Sequence, residues 1–155
     1  PFDAAIHFGK EDWPGVRYLP LMPETVVPVC APELLTEPLE DPSQILSYAL
    51  LHLETRPRGW SRWLSALGVT QEPPAGMMFD QFSTMAQAAV HGLGVALLPT
   101  FSAEPYLRDG QLVLASTQTT QSIGNYYLVW PEDRAETAAL QSFKTWLDGQ
   151  TGQVL

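Results

Sequence analysis

Ser83 and Thr84 open the apolar segment STMAQAAVHG, and together they are the residues best placed to meet a ligand. A helix beginning there leaves backbone N–H groups unpaired in its first turn, and with two hydroxyls these make a seat for a carboxylate. Thr84 and Gln87 also have capping-box spacing, so capping and ligand seating are both open for this pair. Arg56 and Arg58 in ETRPRGW follow a strand-like run, where each either clamps an anion or lies in water. Tyr126 and Tyr127 are neighbours on a strand, so one points to the core and the other away. His7 and His52 each end an apolar run; they read as satisfied, half-buried histidines or as strand-end ligand contacts. His91, at the end of its helix, complements the negative end of the dipole.

Catalysis is not indicated. The three histidines form no HExxH pair, no GxSxG elbow is present, and the single cysteine, Cys30, closes the apolar run VVPVC as a small buried hydrophobe. Glu11–Asp12 and Glu132–Asp133 sit beside prolines as solvated turn charges. No catalytic residue, metal ligand or cofactor is therefore expected. The stretch HGLGVALLP places glycines beside a strand, which raises the question of a phosphate loop. The order is helix, glycines, strand, so the carbonyl end of the helix meets the glycines, the wrong polarity for a pyrophosphate. Gly92 reads as a left-handed helix C-cap and Gly94 as a second flexible joint.

The positioning elements alternate between strand and helix. Ala, Ile and Phe in 2–8 form a strand; VRYLPLMPETVVPVC (16–30) is extended, and Pro20, Pro23 and Pro28 make it an edge or a crossing between two bodies. APELL and DPSQIL each carry a proline suited to a first helical turn. ALLHLE (49–54) is a strand, and GWSRWLSALG (59–68) an amphipathic helix with Trp60, Trp63, Leu64 and Leu67 on one face and Gly68 as its stop. The helix of STMAQAAVHG follows, then the buried strand VALLP, a helical turn in TFSAEPYLRDG, the strand QLVLA, a long strand GNYYLVWPED and a last helix over 134–148. This alternation is α/β. At 155 residues, 45% hydrophobic and 16% charged, the chain is long enough for a real core. Its net charge of −9 argues against gripping nucleic acid by itself. No bilayer-spanning run and no signal peptide is visible. PFDAAIHFG starts inside a strand-like run without a methionine, which suggests that an N-terminal part has been removed.

The ordered set FDAAIHFGKEDWPG, ETVVPVCAPELL, LLH, FDQFSTMAQAAVHGLGVALLP, YYLVWPE and FKTWL resembles the effector-binding region of LysR-type transcriptional regulators. Within that family it is similar to the branch of the glycine-cleavage activator and the beta-lactamase regulator. The resemblance implies a two-lobed, periplasmic-binding-protein-like α/β module with an effector cleft between lobes and an incomplete first lobe. Residues 1–24 and 129–155 would be the remnant of lobe one, and 25–128 lobe two. The implied ligand contacts are His7, Phe8, Gln81, Phe82, Ser83, Thr84, Pro99 and Tyr126. By the resemblance, Tyr126 matches a pocket tyrosine of the beta-lactamase regulator, whereas Gln81 or Phe82 stands where that regulator has a serine, which argues against a muropeptide ligand.

The implied function is sensing a small anionic or amino-acid-like effector and relaying it to a helix-turn-helix absent from this chain. The implied setting is a cytoplasmic homo-oligomer that meets DNA only through that missing domain and meets no membrane. The alternative is an extracytoplasmic solute-binding protein of similar fold.

Overall fold

The computed structural model describes residues 4–133 and 137–154. Residues 2–3 of the first predicted strand and 134–136 of the last predicted helix lie outside the described residues. The chain separates into two compact units, one of residues 1–24 and 122–155, the other of residues 25–121. The sequence expectation placed the second break at 128/129. It falls at 121/122 because the strand from Asn125 onward is hydrogen-bonded inside the first unit.

In the first unit, strand β1 (Ala5–Gly9) pairs antiparallel with β7 (Thr120–Pro131) from Ala5–Val129 to Gly9–Asn125. On its other side β7 neighbours β2 (Val16–Cys30), which is one unbroken strand despite its prolines. Helix α4 (Ala138–Val154) completes the unit, with Lys144 Nζ 4.1 Å from the centroid of the Trp130 ring. The helix starts at Ala138, later than the sequence pattern suggested, and Thr137 caps its first turn by accepting from Leu140 N at 3.1 Å.

The second unit is built on the far half of β2. Residues Val26–Val29 pair with β5 (Ala96–Pro99), and Val29–Cys30 pair with β6 (Val113–Leu114). The Pro28 carbonyl accepts from Ala115 N at 2.9 Å, so the missing N–H of this proline falls on the β6 side, where the ladder is shortest. That placement is why a proline survives inside a paired strand, and β2 is a crossing strand rather than an edge.

Both faces of β5 are covered, which is why VALLP reads as a continuous apolar run instead of alternating. Ala96 and Leu98 join Val27, Val29, Met85 and Ala89 in one core; Val95 and Leu97 join Cys30, Trp60, Trp63 and Leu64 in another. The first core is roofed by α2 (Phe82–Val90) and the second by α1 (Gly59–Ala66). In α1 the i, i+3, i+4 spacing buries Trp60, Trp63 and Leu64. Each such side chain contributes roughly 1.5–3 kcal/mol on burial. Their polar atoms are satisfied, since Trp60 Nε1 donates to Leu51 O at 2.9 Å and Trp63 Nε1 to Gln118 O at 3.3 Å.

Several local expectations are corrected. APELL forms a turn closed by Leu34 N to Ala31 O at 3.0 Å, not a helix, whereas DPSQIL forms a 3-10 helix, Pro42–Ser47, capped by Asp41. ALLHLE contracts to β3 (His52–Leu53), which pairs parallel with β4 (Met78–Phe79), and Leu50 bridges Val95. The helical turn in TFSAEPYLRDG is a full helix, α3 (Thr100–Arg108), which continues through Pro105. Gly92 has φ +80°, the left-handed cap expected. Gly94 is not a flexible joint; a Cβ there would lie 2.6 Å from the Ala49 carbonyl oxygen, so its role is close backbone approach.

Candidate functional site

In the second unit the α2 N-terminus is the feature with ligand chemistry. Gln81 precedes it in extended conformation, and Met85 N to Gln81 O, 3.2 Å, is its first helical bond. The amides of Phe82, Ser83 and Thr84 therefore precede the bonded ladder. The capping box expected from Thr84 and Gln87 does not form, because the helix starts at Phe82 and Thr84 is already its third residue. Thr84 instead donates its hydroxyl to the Gln81 carbonyl at 3.0 Å, and the Ser83 hydroxyl lies 3.4 Å from Gln81 Oε1. Gln81 makes no side-chain cap bond and no acidic residue lies in the first turn, although Asp80 directly precedes the cap.

Arg56 adds charge beside this turn. Its guanidinium carbon lies 5.6 Å from the Phe82 ring centroid, within cation–π range, and Nη1 is 3.4 Å from Thr55 O. Arg58 precedes α1, where its carbonyl accepts from Arg62 N at 2.9 Å. Pro99 is buried at the end of β5 opposite Val26 and leads into α3. The next side chain, Thr100, is hydrogen-bonded to the Thr25 hydroxyl at 2.9 Å.

In the first unit, strand alternation divides the expected residues between two faces. The register sets His7 opposite Tyr127 and Phe8 opposite Tyr126. Phe8 and Tyr126 are brought together, ring centroids 5.0 Å apart, on one face. Gly124 makes room for this, since a Cβ there would meet the Phe8 ring at 2.6 Å. His7 lies on the opposite face, away from both. Its Nε2 faces Lys10 O at 2.8 Å and Asp12 Oδ1 at 3.2 Å, and its ring centroid is 4.3 Å from that of Trp13. Two acceptors at one nitrogen place the proton on Nε2.

Two contacts were missed from sequence. Asp12 is the exposed turn charge expected, 68% exposed, and in addition lies 3.2 Å from His7 Nε2. Glu24 is buried, 1% exposed, and accepts a hydrogen bond from the Tyr126 hydroxyl. The signal for Glu24 was available: it is the one charged residue within YLPLMPETVVPVC, residues 18–30. His52 is held by Pro74 O at 3.0 Å and His91 by Gln87 O at 2.8 Å, both through ring nitrogens. Burial pushes the Cys30 thiol up to about 11, so the thiolate needed of a nucleophile is scarce at neutral pH. Among the described residues no group of three or more His, Cys, Asp or Glu could hold a metal ion, and no helix is long and apolar enough to cross a membrane.

Known proteins share this sequence and architecture. The transcriptional activator AmpR of Rhodobacter capsulatus is 39% identical over 151 residues, covering 97% of this chain and 51% of that protein. The glycine cleavage system transcriptional activator of Escherichia coli K12 is 34% identical over 148 residues, 94% of this chain and 48% of that protein. The chain thus spans about half the length of the curated relatives it matches. Among solved structures, the effector domain of AmpR of Pseudomonas aeruginosa superposes with a TM-score of 0.86 at 29% identity, covering 97% of this chain and 72% of that one. The CrgA regulatory domain of Neisseria meningitidis, a LysR-type regulator, shares the fold at TM-score 0.76 and 19% identity. The LysR substrate binding domain family matches residues 1–151, more than nine-tenths of the sequence, and the chain belongs to that family.

Proposed function

We propose that this chain is the effector-sensing part of a LysR-type transcriptional regulator and performs no catalysis. The observation that carries the reading is the α2 N-terminus: in a chain of this family it has no side-chain cap bond, no acidic residue in its first turn and Arg56 beside it. Such an end favours a carboxylate or another small anionic group, as in an amino-acid-like effector. Gln81, Phe82, Ser83 and Thr84 are its contacts in the second unit, where Pro99 fixes the start of α3. Phe8 and Tyr126 are ligand contacts in the first unit, and His7 supports them from the other face by holding Lys10 and Asp12. The effector acts only through a difference in affinity for two conformations of the regulator. DNA is met through a separate N-terminal domain of a homo-oligomeric, cytoplasmic protein.

Sequencing the gene upstream of the Pro1 codon tests this reading. The expected result is an in-frame stretch about as long as this chain, opening with a basic helix-turn-helix, in line with the half-length match to the relatives. A secretion signal followed by the start of a binding-protein lobe would overturn it in favour of an exported solute-binding protein.

A further inference from the structure

His52 and Met78 are set side by side by a strand pairing that their distance in sequence conceals. β3 runs parallel to β4, with His52 N donating to Met77 O at 2.9 Å and Glu54 N to Phe79 O at 2.8 Å, and the register places His52 directly beside Met78. Side chains of directly paired residues leave the same face of a sheet, and neighbouring strands lie roughly 4.8 Å apart. The Met78 side chain is accessible, the residue being 58% exposed. Gly76 keeps space open next to the imidazole, since a Cβ there would lie 3.4 Å from His52 Cδ2. All of these residues belong to the second unit.

The histidine is also oriented. Its Nε2 lies 3.0 Å from Pro74 O, and a carbonyl only accepts, so the proton is on Nε2 and Nδ1 carries the lone pair. A ring N–H given to a backbone carbonyl is how metal-binding histidines are held in place and made more basic. An imidazole nitrogen beside a thioether is a soft ligand pair, the kind that selects Cu(I). Two metal–ligand bonds of roughly 2.0–2.3 Å span about 4.3 Å, close to the spacing of paired strands. Among the described residues no group of three His, Cys, Asp or Glu able to hold a metal includes His52, so a hard cation that needs several oxygen ligands has no cage there.

We infer that His52 Nδ1 and Met78 Sδ form a two-coordinate site for a soft monovalent cation such as Cu(I) on the β3–β4 pair. The site is independent of whether α2 seats an effector.

The test is a titration of the chain, labelled with carbon-13 at its methionine methyls, with Ag(I) in chloride-free buffer, Ag(I) being the air-stable stand-in for Cu(I). NMR follows the methyls together with the His52 Cε1–H. Met77 is the internal control, because it is 50% exposed but, as the preceding residue of an extended segment, points to the face away from His52. Met78 and His52 are expected to shift together, at Ag(I) concentrations about tenfold or more below those that move Met77, the gain from a second ligand already held in place. In His52→Gln, whose amide can still donate to Pro74 O, the Met78 response is expected to fall to within about threefold of that of Met77. Met78→Leu is expected to silence His52 over the same range. Met77 and Met78 responding at equal concentrations in the native chain overturns the inference, as does a Met78 shift that leaves His52 unmoved, or no shift of either. Zn(II) moving His52 at lower concentrations than Ag(I) overturns it too, because a soft pair does not favour the harder ion. A first equivalent of Ag(I) taken by Cys30, which is fully buried, leaves both exposed methionines in place for the same comparison. The native titration decides even where a variant fails to fold.

Discussion

Gly92 and Gly94 stand two residues apart and serve different ends. Gly92 adopts the left-handed backbone with which α2 closes, a conformation that favours glycine, and Gly94 lets the chain pass against the Ala49 carbonyl. Gly92→Ala forces a Cβ into left-handed space, costing roughly 1–2 kcal/mol. Gly94→Ala drives a Cβ into a backbone oxygen at 2.6 Å, which cannot rotate aside. We expect its cost to reach or exceed the roughly 1–3 kcal/mol of core overpacking. At roughly 2–4 °C per kcal/mol for a chain of this size, thermal unfolding separates the two substitutions. The expected order is Gly94→Ala below Gly92→Ala below native, and an Ala at 94 that unfolds no earlier than an Ala at 92 contradicts the close-approach reading. The sequence revealed that glycine was needed at both positions. Only the position of Ala49, distant in sequence, reveals why it was needed at 94.

At the scale of elements, composition spoke most clearly where apolar periodicity was strong. The faces of α1 and α2, the doubly covered β5 and the long β2 were all readable, because each buries a patterned set of side chains. Starts and stops were less readable. Thr84 has the capping-box spacing, yet Phe82 packs against the core under α2 and the helix starts three residues earlier, with Gln81 as its N-cap. In contrast, Asp41 and Gln44 do form a reciprocal capping box on the 3-10 helix.

The backbone N–H of Ser43, and then its hydroxyl, hold the Asp41 carboxyl below its ordinary value of 3.8. A depressed folded-state value means that the cap stabilises fully above 3.8, and the contribution is lost as pH falls through the lower folded value. Asp41→Ala is therefore expected to unfold earlier than native at pH 7 and to converge with it in acid, as followed by thermal melts across pH. A gap that stays constant down to the acid limit would show that the carboxylate is not the source. The candidate site was legible only in part, for the same reason. Ser83 and Thr84 carry local signals, Phe8 and Tyr126 were implied only by the family resemblance, and Glu24 becomes a partner of Tyr126 only when two distant strands are brought side by side.

The whole molecule divides into a second unit made of one continuous segment with two apolar cores, and a first unit made of two separated segments. The first unit leaves large apolar side chains in water: Ile6 is 53% exposed, Phe143 45% and Trp146 57%, the last two stacked with centroids 5.9 Å apart. Apolar surface of this kind promotes self-association. Light scattering is expected to show mass rising with concentration, and Phe143→Ser with Trp146→Gln is expected to suppress the rise. A native chain that stays monomeric throughout contradicts this.

The central claim, that the α2 N-terminus seats an anionic group of a small effector, is tested most directly by calorimetric titration with glycine, L-glutamate and succinate. Native chain is compared with Ser83→Pro, which removes an N–H and a hydroxyl where a first helical turn still accepts proline. At least one of these carboxylates is expected to bind the native chain with a Kd of about 1 mM or tighter, and about tenfold more weakly to folded Ser83→Pro. No binding by any of them, or binding that Ser83→Pro leaves unchanged, would contradict the account.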